Sequence, residues 1–282
     1  MRERLYGALK VNSMAGFSIA SDKHPERNED SYFTDFFGMA VGVFDGMGGH
    51  AGSERASRIA AHASAEHLYR SPFLLEREIG RRVVFDAMLR AHDAIVCDKS
   101  GDIGTTAAVV KVLDDGRKLY ASVGHVGDSR AYVMRDGDLS QLTLDNVSKS
   151  YFNYGNDDRR RDADKWRMQD TLSRITDVSQ LNDEERFYFR HRNIISSCLG
   201  SRDGLPYIAV TDIDVTNDDV VVVTSDGVHD NLTTSEIASI VRNSSTATMV
   251  TRELVYKALE RSRDTSHLRA KSDDITAVAL IV

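Results

Sequence analysis

Val41-Gly42-Val43-Phe44-Asp45-Gly46-Met47-Gly48-Gly49-His50 is the stretch on which the reading of this chain turns. Met39 to Phe44 is an apolar run of the length of a buried strand. It stops at an acid and then at glycines. A carboxylate at the end of a core strand, followed by a loop open enough to bring backbone oxygens close, suits a hard cation, because Mg²⁺ and Mn²⁺ take oxygen ligands. A plain Asp-Gly turn between a strand and a helix would be spelled the same way. What separates the two readings is recurrence: Glu29-Asp30, Asp128, Asp226 with Asp230, and Asp273-Asp274 also stand at the ends of strand-like runs.

Composition sets the frame. The 282 residues are 41% hydrophobic, enough core for one large domain or two modest ones. The net charge of −7 argues against a nucleic-acid partner. Cys97 and Cys198 do not have metal-ligand spacing, and two cysteines are too few for a disulfide scaffold. They are expected to be buried free thiols in a reducing compartment. Met1 to Lys10 lacks the apolar core of a signal peptide, and no run reaches membrane-span length. A cytoplasmic protein without membrane association is expected. The apolar run Ile275 to Val282 reads as a closing core strand, so no sensor or membrane tail is expected after it.

Outward from the opening stretch, Ala15 to Ser21 and Tyr32-Phe33 read as strands around the turn Asp22-Lys23-His24-Pro25. If Arg27 to Asp30 is extended, Arg27 and Glu29 share a face. Two helices follow: one carries Ala56, Ile59, Ala60, Ala63 and Leu68, and the other runs from about Phe73 to Val96. His62, His67 and His92 on them are expected to be ordinary helix residues. Gly104 to Val112, Lys118 to Val123 and Ala131 to Met134 then form an antiparallel meander, turning at Asp115-Gly116, Gly124 to Arg130 and Asp136-Gly137. Periodicity fades from Asp145 to about Asn193; Ser150 to Thr176 reads as an exposed insertion, and Asn182 as a helix cap. Order returns with Tyr207 to Val215 and Val220 to Thr224, then helices at Ser235 to Val241 and Ala247 to Arg261, and the last strand.

This order predicts an α+β fold, a four-layer α-β-β-α sandwich of two antiparallel sheets flanked by helix pairs, forming a single domain over residues 1–282. Acids at five strand ends, with glycines beside most of them and no histidines at ligand spacing, point to an oxygen-only site for divalent ions. Two such ions can share a water, lower its pKa and neutralise charge on a phosphoryl group.

Taken together, Arg27-Asn28-Glu29-Asp30, Val43 to His50, Gly104-Thr105-Thr106, Val126-Gly127-Asp128-Ser129-Arg130-Ala131-Tyr132, Thr224-Ser225-Asp226-Gly227 and Asp273-Asp274-Ile275-Thr276 resemble the ordered motifs of the metal-dependent serine/threonine protein phosphatases of type 2C, bacterial members in particular. The resemblance runs from about Phe17 to Val282. It implies hydrolysis of phosphoserine and phosphothreonine in protein substrates by a metal-bridging hydroxide, with Mg²⁺ or Mn²⁺, two per site. It implies that Asp45 bridges the two ions with the Gly46 carbonyl as a further ligand, and that Asp226 and Asp273 complete one of them. Glu29 and Asp30 would hold metal-bound waters, and Asp128 with Asp230 would form a third, weaker position. A phosphoprotein made by a Ser/Thr kinase is the implied partner, and the chain is expected to act as a monomer.

The chain also departs from the pattern. The family's phosphate-contacting arginine usually lies four residues before the motif's acid, where this chain has Pro25; Arg27 could substitute from the same strand face or could be a surface residue. Met47 stands where animal members have a histidine proposed as proton donor. His50 is the nearest alternative, with a helix-capping role as the competing reading; a metal-bound water could serve instead. His125 and His229 lie within motifs but are explained by ordinary hydrogen bonding. Asp274 is either a turn acid or a support for the ligands. The segment 145–193 corresponds to the family's variable flap, looks enlarged, and would help to choose the phosphoprotein. Two other functions compete: a binding module on the same fold without turnover, and a phosphatase for a small phosphate ester or an anti-sigma-type partner.

Overall fold

The computed structural model describes residues 13–47, 52–98, 103–146 and 158–282, with backbone alone at 158–161. His50, a candidate proton donor, and the glycines Gly48 and Gly49 lie outside the described residues.

Two antiparallel sheets form the centre. In the first, β1 (Ser13–Ile19) lies beside β11 (Ile275–Ile281), then β10 (Val220–Thr224), β7 (Arg130–Arg135) and β8 (Asp138–Gln141). In the second, the order is β2 (Asp30–Asp35), β3 (Ala40–Met47), β5 (Ala107–Asp114), β6 (Leu119–Val126) and β9 (Ala209–Asp214), and the short β4 (Gly104–Thr105) pairs with the end of β3. Helices α1 (Ser53–Arg70) and α2 (Arg77–Cys97) cover the second sheet. On the other side, α5 (Asp226–His229), α6 (Thr234–Asn243) and α7 (Ala247–Arg263) cover the first.

Strand alternation explains why several strands are apolar throughout. Val41, Val43, Val110, Val123, Val221, Val223, Val278 and Leu280 point between the sheets. Their neighbours Phe44 and Val109 face α1 and α2, whereas Val222, Ala277 and Ala279 face α6 and α7. A strand covered on both faces has no polar side to show, so Val220 to Thr224 reads as an unbroken run. The helices present matching stripes: Ala56, Ala60 and Leu68 on α1, and Val250, Leu254 and Ala258 on α7. The four-layer arrangement read from the sequence is therefore the one observed.

Asn182 caps α4 (Asp183–Arg190) in a full capping box with Glu185. The second helix begins at Arg77 rather than near Phe73, because Leu74 bridges to Asp114 beside β5. Edge strand β8 was not foreseen; four mixed residues carry no period. Neither Cys97 nor Cys198 is in a disulfide, as expected, but Cys97 is exposed at the last residue of α2 and Cys198 is half-buried, so neither is the buried thiol anticipated.

The expected exposed insertion also needs correction. Asp158–Arg174 is a helix, α3, whose inner side is buried. Leu172 and Ile175 join Leu181, Tyr188 and Phe189 in a small core of their own, with Met168 and Leu268 packed against it. The signal was present, since Met168, Leu172 and Ile175 fall at i, i+4 and i+7, but so sparse a stripe is hidden among charges. No helix among the described residues is long and apolar enough to cross a membrane.

Candidate metal centre

The site is assembled where β2, β3, β10 and β11 end. Register places Asp30, the first residue of β2, directly across from Asp45 near the end of β3. Beyond Asp45, β3 leaves β5 and pairs with β4; the Thr106 amide and the Thr105 hydroxyl both donate to the Asp45 carbonyl (2.9 and 2.8 Å), and the Asp45 amide donates to Thr106 Oγ1 (3.1 Å). The Gly104-Thr105-Thr106 motif is thus a strap that fixes the backbone carrying Asp45. Gly46 has no space for a side chain: a Cβ there would stand 2.3 Å from the Ser53 carbonyl oxygen and 2.6 Å from that of Glu29. That close approach brings the first turn of α1, the Glu29 backbone and the end of β3 together.

The other half comes from the first sheet. Thr224 ends β10, and the chain turns directly into α5, which Asp226 begins. The Ser225 hydroxyl donates to Asp30 Oδ2 (2.7 Å), while Ser225 and Thr276 exchange hydrogen bonds between β10 and β11. One serine therefore ties the two sheets at the site. Gly227 lets α5 pack on the backbone of Asp274; a Cβ would fall 1.9 Å from its carbonyl oxygen.

Asp274 is buried and accepts from the backbone amides of Ser21 (2.7 Å) and Glu29 (2.6 Å). It holds the β1–β2 connection and so the position of Glu29. Its neighbour Asp273, about a third exposed, turns instead towards the cluster of acids. Asp273 thus lies with the acids around Asp45, whereas Asp274 lies with His24 and Glu29, where one possible ligand atom from each falls within 4.8 Å of the others.

Burial and mutual repulsion act together on the acids of this site. Burial raises the Asp45 carboxyl well above the usual range, and the repulsion of Asp30, Asp226, Asp273 and Asp128 adds to it. Burial also raises Asp30 and Asp128. Asp226 is pushed up to about 6, burial outweighing the opposing pull of Lys271. Such a set is stable only if protonated or bound to cations. Two buried oxygens, Asp30 Oδ1 and Asp226 Oδ1, have no hydrogen-bond partner among the described residues. Donors that are all oxygen, with buried carboxylate oxygens left over, fit a hard divalent ion.

Several predicted residues are engaged in other ways. Arg27 lies 2.9 Å from Glu29 Oε1 as an ion pair, on the same face as expected, with its side chain partly exposed. His125 is hydrogen-bonded to the Leu144 carbonyl (2.7 Å) and His229 to Thr224 Oγ1 (3.0 Å). Burial and the nearby Arg130 hold His229 neutral, well below the usual histidine range. Both are structural, in keeping with the sequence reading.

Sequence reasoning missed Lys271. Its ammonium group sits among Asp226, Asp230 (2.8 Å) and Asp273 (3.2 Å). It also missed Arg192, whose Nε lies 2.9 Å from Asp230 Oδ1. Burial would raise the Asp230 carboxyl, but Lys271 and Arg192 together hold it far below the usual range. No motif spacing marks either cation; the one available hint was that Lys271 lies two residues before Asp273.

Residues 23–262 match the family described as Protein phosphatase 2C. The Probable protein phosphatase 2C 17 of Arabidopsis thaliana is 24% identical over 275 residues, covering 94% of this chain and 87% of the plant protein. The crystal structure of the PPM Ser-Thr phosphatase MsPP from Mycobacterium smegmatis superposes with a TM-score of 0.70 at 22% identity, covering 97% of this chain and 100% of that one. The catalytic domain of the serine threonine protein phosphatase PstP, solved with two manganese ions, gives a TM-score of 0.66 at 24% identity, over 95% of this chain and 97% of that domain. The family match over most of the sequence and the shared fold lead to one statement: this chain belongs to the protein phosphatase 2C family.

Proposed function

We propose that the chain removes phosphate from phosphoserine and phosphothreonine in proteins with a pair of divalent ions, Mg²⁺ or Mn²⁺, bound at this centre. The observation that carries the reading is the convergence of Asp30, Asp45, Asp226 and Asp273 from four strand ends, with buried carboxylate oxygens left unpartnered. Two manganese ions in the related PstP domain support it. When bound, such a pair supplies an activated water and offsets the charge that develops on the phosphoryl group.

The chain's own residues set the geometry. Asp45, centred among the other acids and fixed by Thr105 and Thr106, would hold both ions, with the Gly46 carbonyl beside it. Asp226 and Asp273 would complete one ion. Glu29 and Asp30 would orient bound waters, Asp30 being aimed by Ser225 and Glu29 by Asp274. Arg27, held by Glu29 at the partly exposed edge, would receive the phosphate. Segment 145–193, with α3 and α4, would act as the flap that contacts the phosphoprotein. A kinase product in a reducing cytoplasm is the substrate setting that Cys97 and Cys198, neither of them in a disulfide, suit.

The test is hydrolysis of an aryl phosphate with Mn²⁺, with chelator, and in Asp45→Asn. Activity should require Mn²⁺ and fall by orders of magnitude in the variant, because the charge of the bridging ligand is removed. Turnover that survives chelation would overturn the proposal. A second reading, a phosphoprotein-binding module without turnover, draws on Lys271 lying among the acids; it predicts phosphopeptide binding but no Mn²⁺-dependent hydrolysis by the native chain.

A further inference from the structure

Among the acids of this centre, some oxygens are left over while others already face protein cations, Asp273 Oδ2 among them at 3.2 Å from Lys271. Asp30 Oδ1 and Asp226 Oδ1 are buried and without a hydrogen-bond partner among the described residues. Asp230 is the opposite case: Arg192 lies 2.9 Å from its Oδ1, and Lys271 donates to its Oδ2 at 2.8 Å. Both of its oxygens are faced by protein cations. Asp226 is divided between the two conditions, with Oδ2 bonded to Lys271 and Oδ1 left over.

Neither cation is a loosely placed surface side chain. The Lys271 backbone is clamped by the buried Asn231, whose Oδ1 accepts from the Lys271 amide (3.0 Å) and whose Nδ2 donates to the Lys271 carbonyl (2.9 Å). Arg192 donates to the Phe189 carbonyl (2.6 Å) and lies over the Phe189 ring, 4.3 Å from its centroid. Arg192 follows α4, so it brings the flap segment to the site. Together, one ammonium and one guanidinium carry the charge of one divalent ion, and both carry it to Asp230.

We propose that Lys271, with Arg192, takes the place of a divalent ion at the outer position bounded by Asp128, Asp226 and Asp230, so that this chain binds two ions and closes the third position with its own side chains. The proposal rests on the ligand assignment made above for the two inner ions. In it, Asp230 is a counter-ion to Lys271 and Arg192, and Asp128 stays uncoordinated. The inner pair keeps Asp45, Asp226 Oδ1 and Asp273, and Lys271 fixes the Asp226 carboxylate so that Oδ1 is the oxygen presented inward.

The experiment counts bound Mn²⁺ per chain by equilibrium dialysis and metal analysis, with no need for turnover. The native chain and Asp128→Asn should both bind two ions. Lys271→Ala should bind three, and Lys271→Ala combined with Asp128→Asn should return to two. Three ions in the native chain, one fewer in Asp128→Asn than in the native chain, or only two in a folded Lys271→Ala would each overturn it. Circular dichroism and a thermal melt check the fold of each variant; should Lys271→Ala fail to fold, Asp128→Asn in the otherwise native chain still decides. Failure of the ligand assignment looks different: it would show as Asp45→Asn retaining both ions.

Discussion

Asp226 shows at the scale of one residue what it costs to build such a site. Its carboxyl is buried and pushed up to about 6 from an ordinary 3.8. Between those values the folded metal-free chain holds a proton that the unfolded chain has released. Stability of the metal-free protein should therefore fall as pH rises from about 4 to about 6, by up to about 3 kcal/mol from this group. Asp226→Asn should flatten that slope in urea unfolding with chelator present. Mn²⁺ should reverse the loss at neutral pH for the native chain, since a ligand bound only by the folded state stabilises it. A metal-free stability that rises across the same window would contradict this account. The candidate ligands Asp45, Asp226 and Asp273 were legible in sequence because each closes or opens an apolar strand. Lys271 and Arg192 were not, because a lysine in a loop has no spacing that announces its partners.

At the scale of an element, the connection between β1 and β2 depends on Asp274. Its two oxygens accept the amides of Ser21 and Glu29, from a strand distant in sequence. Asp274→Ala should cost roughly 2–4 kcal/mol in denaturant unfolding, as two amides lose a charged acceptor. It should also weaken Mn²⁺ binding, because Glu29 is no longer held, although Asp274 itself touches no ion in the scheme above. Loss of stability with unchanged Mn²⁺ affinity would show that Glu29 is positioned by something else. The turn itself was read correctly, yet the sequence left Asp274 open between turn acid and support; only the pairing of β1 with β11, Ile19 across from Ile275, brings that acid beside Glu29. Helix α3 makes the complementary point: its apolar stripe is three residues wide, and its burial depends on Tyr188 and Phe189 from α4.

For the molecule as a whole, the layers hold the centre while the segment that carries α4 reaches it through Arg192. On the outer side of α3, Trp166 and Arg167 are exposed. Trp166→Ala should lower kcat/KM for a phosphoprotein by several-fold more than for an aryl phosphate, because the small substrate does not extend to the flap. Equal losses on both substrates would count against a role in substrate choice. The sequence by itself determined the layers, because a strand buried on both faces must be apolar at every position and a covering helix must carry a stripe. It also placed acids at the strand ends, because a core strand can end in a carboxylate only where something meets its charge. The tertiary structure alone decided what meets it: which oxygens are left for ions and which are taken by Lys271 and Arg192. That division depends on distances between residues far apart in the chain, and periodicity along a sequence carries no information about them.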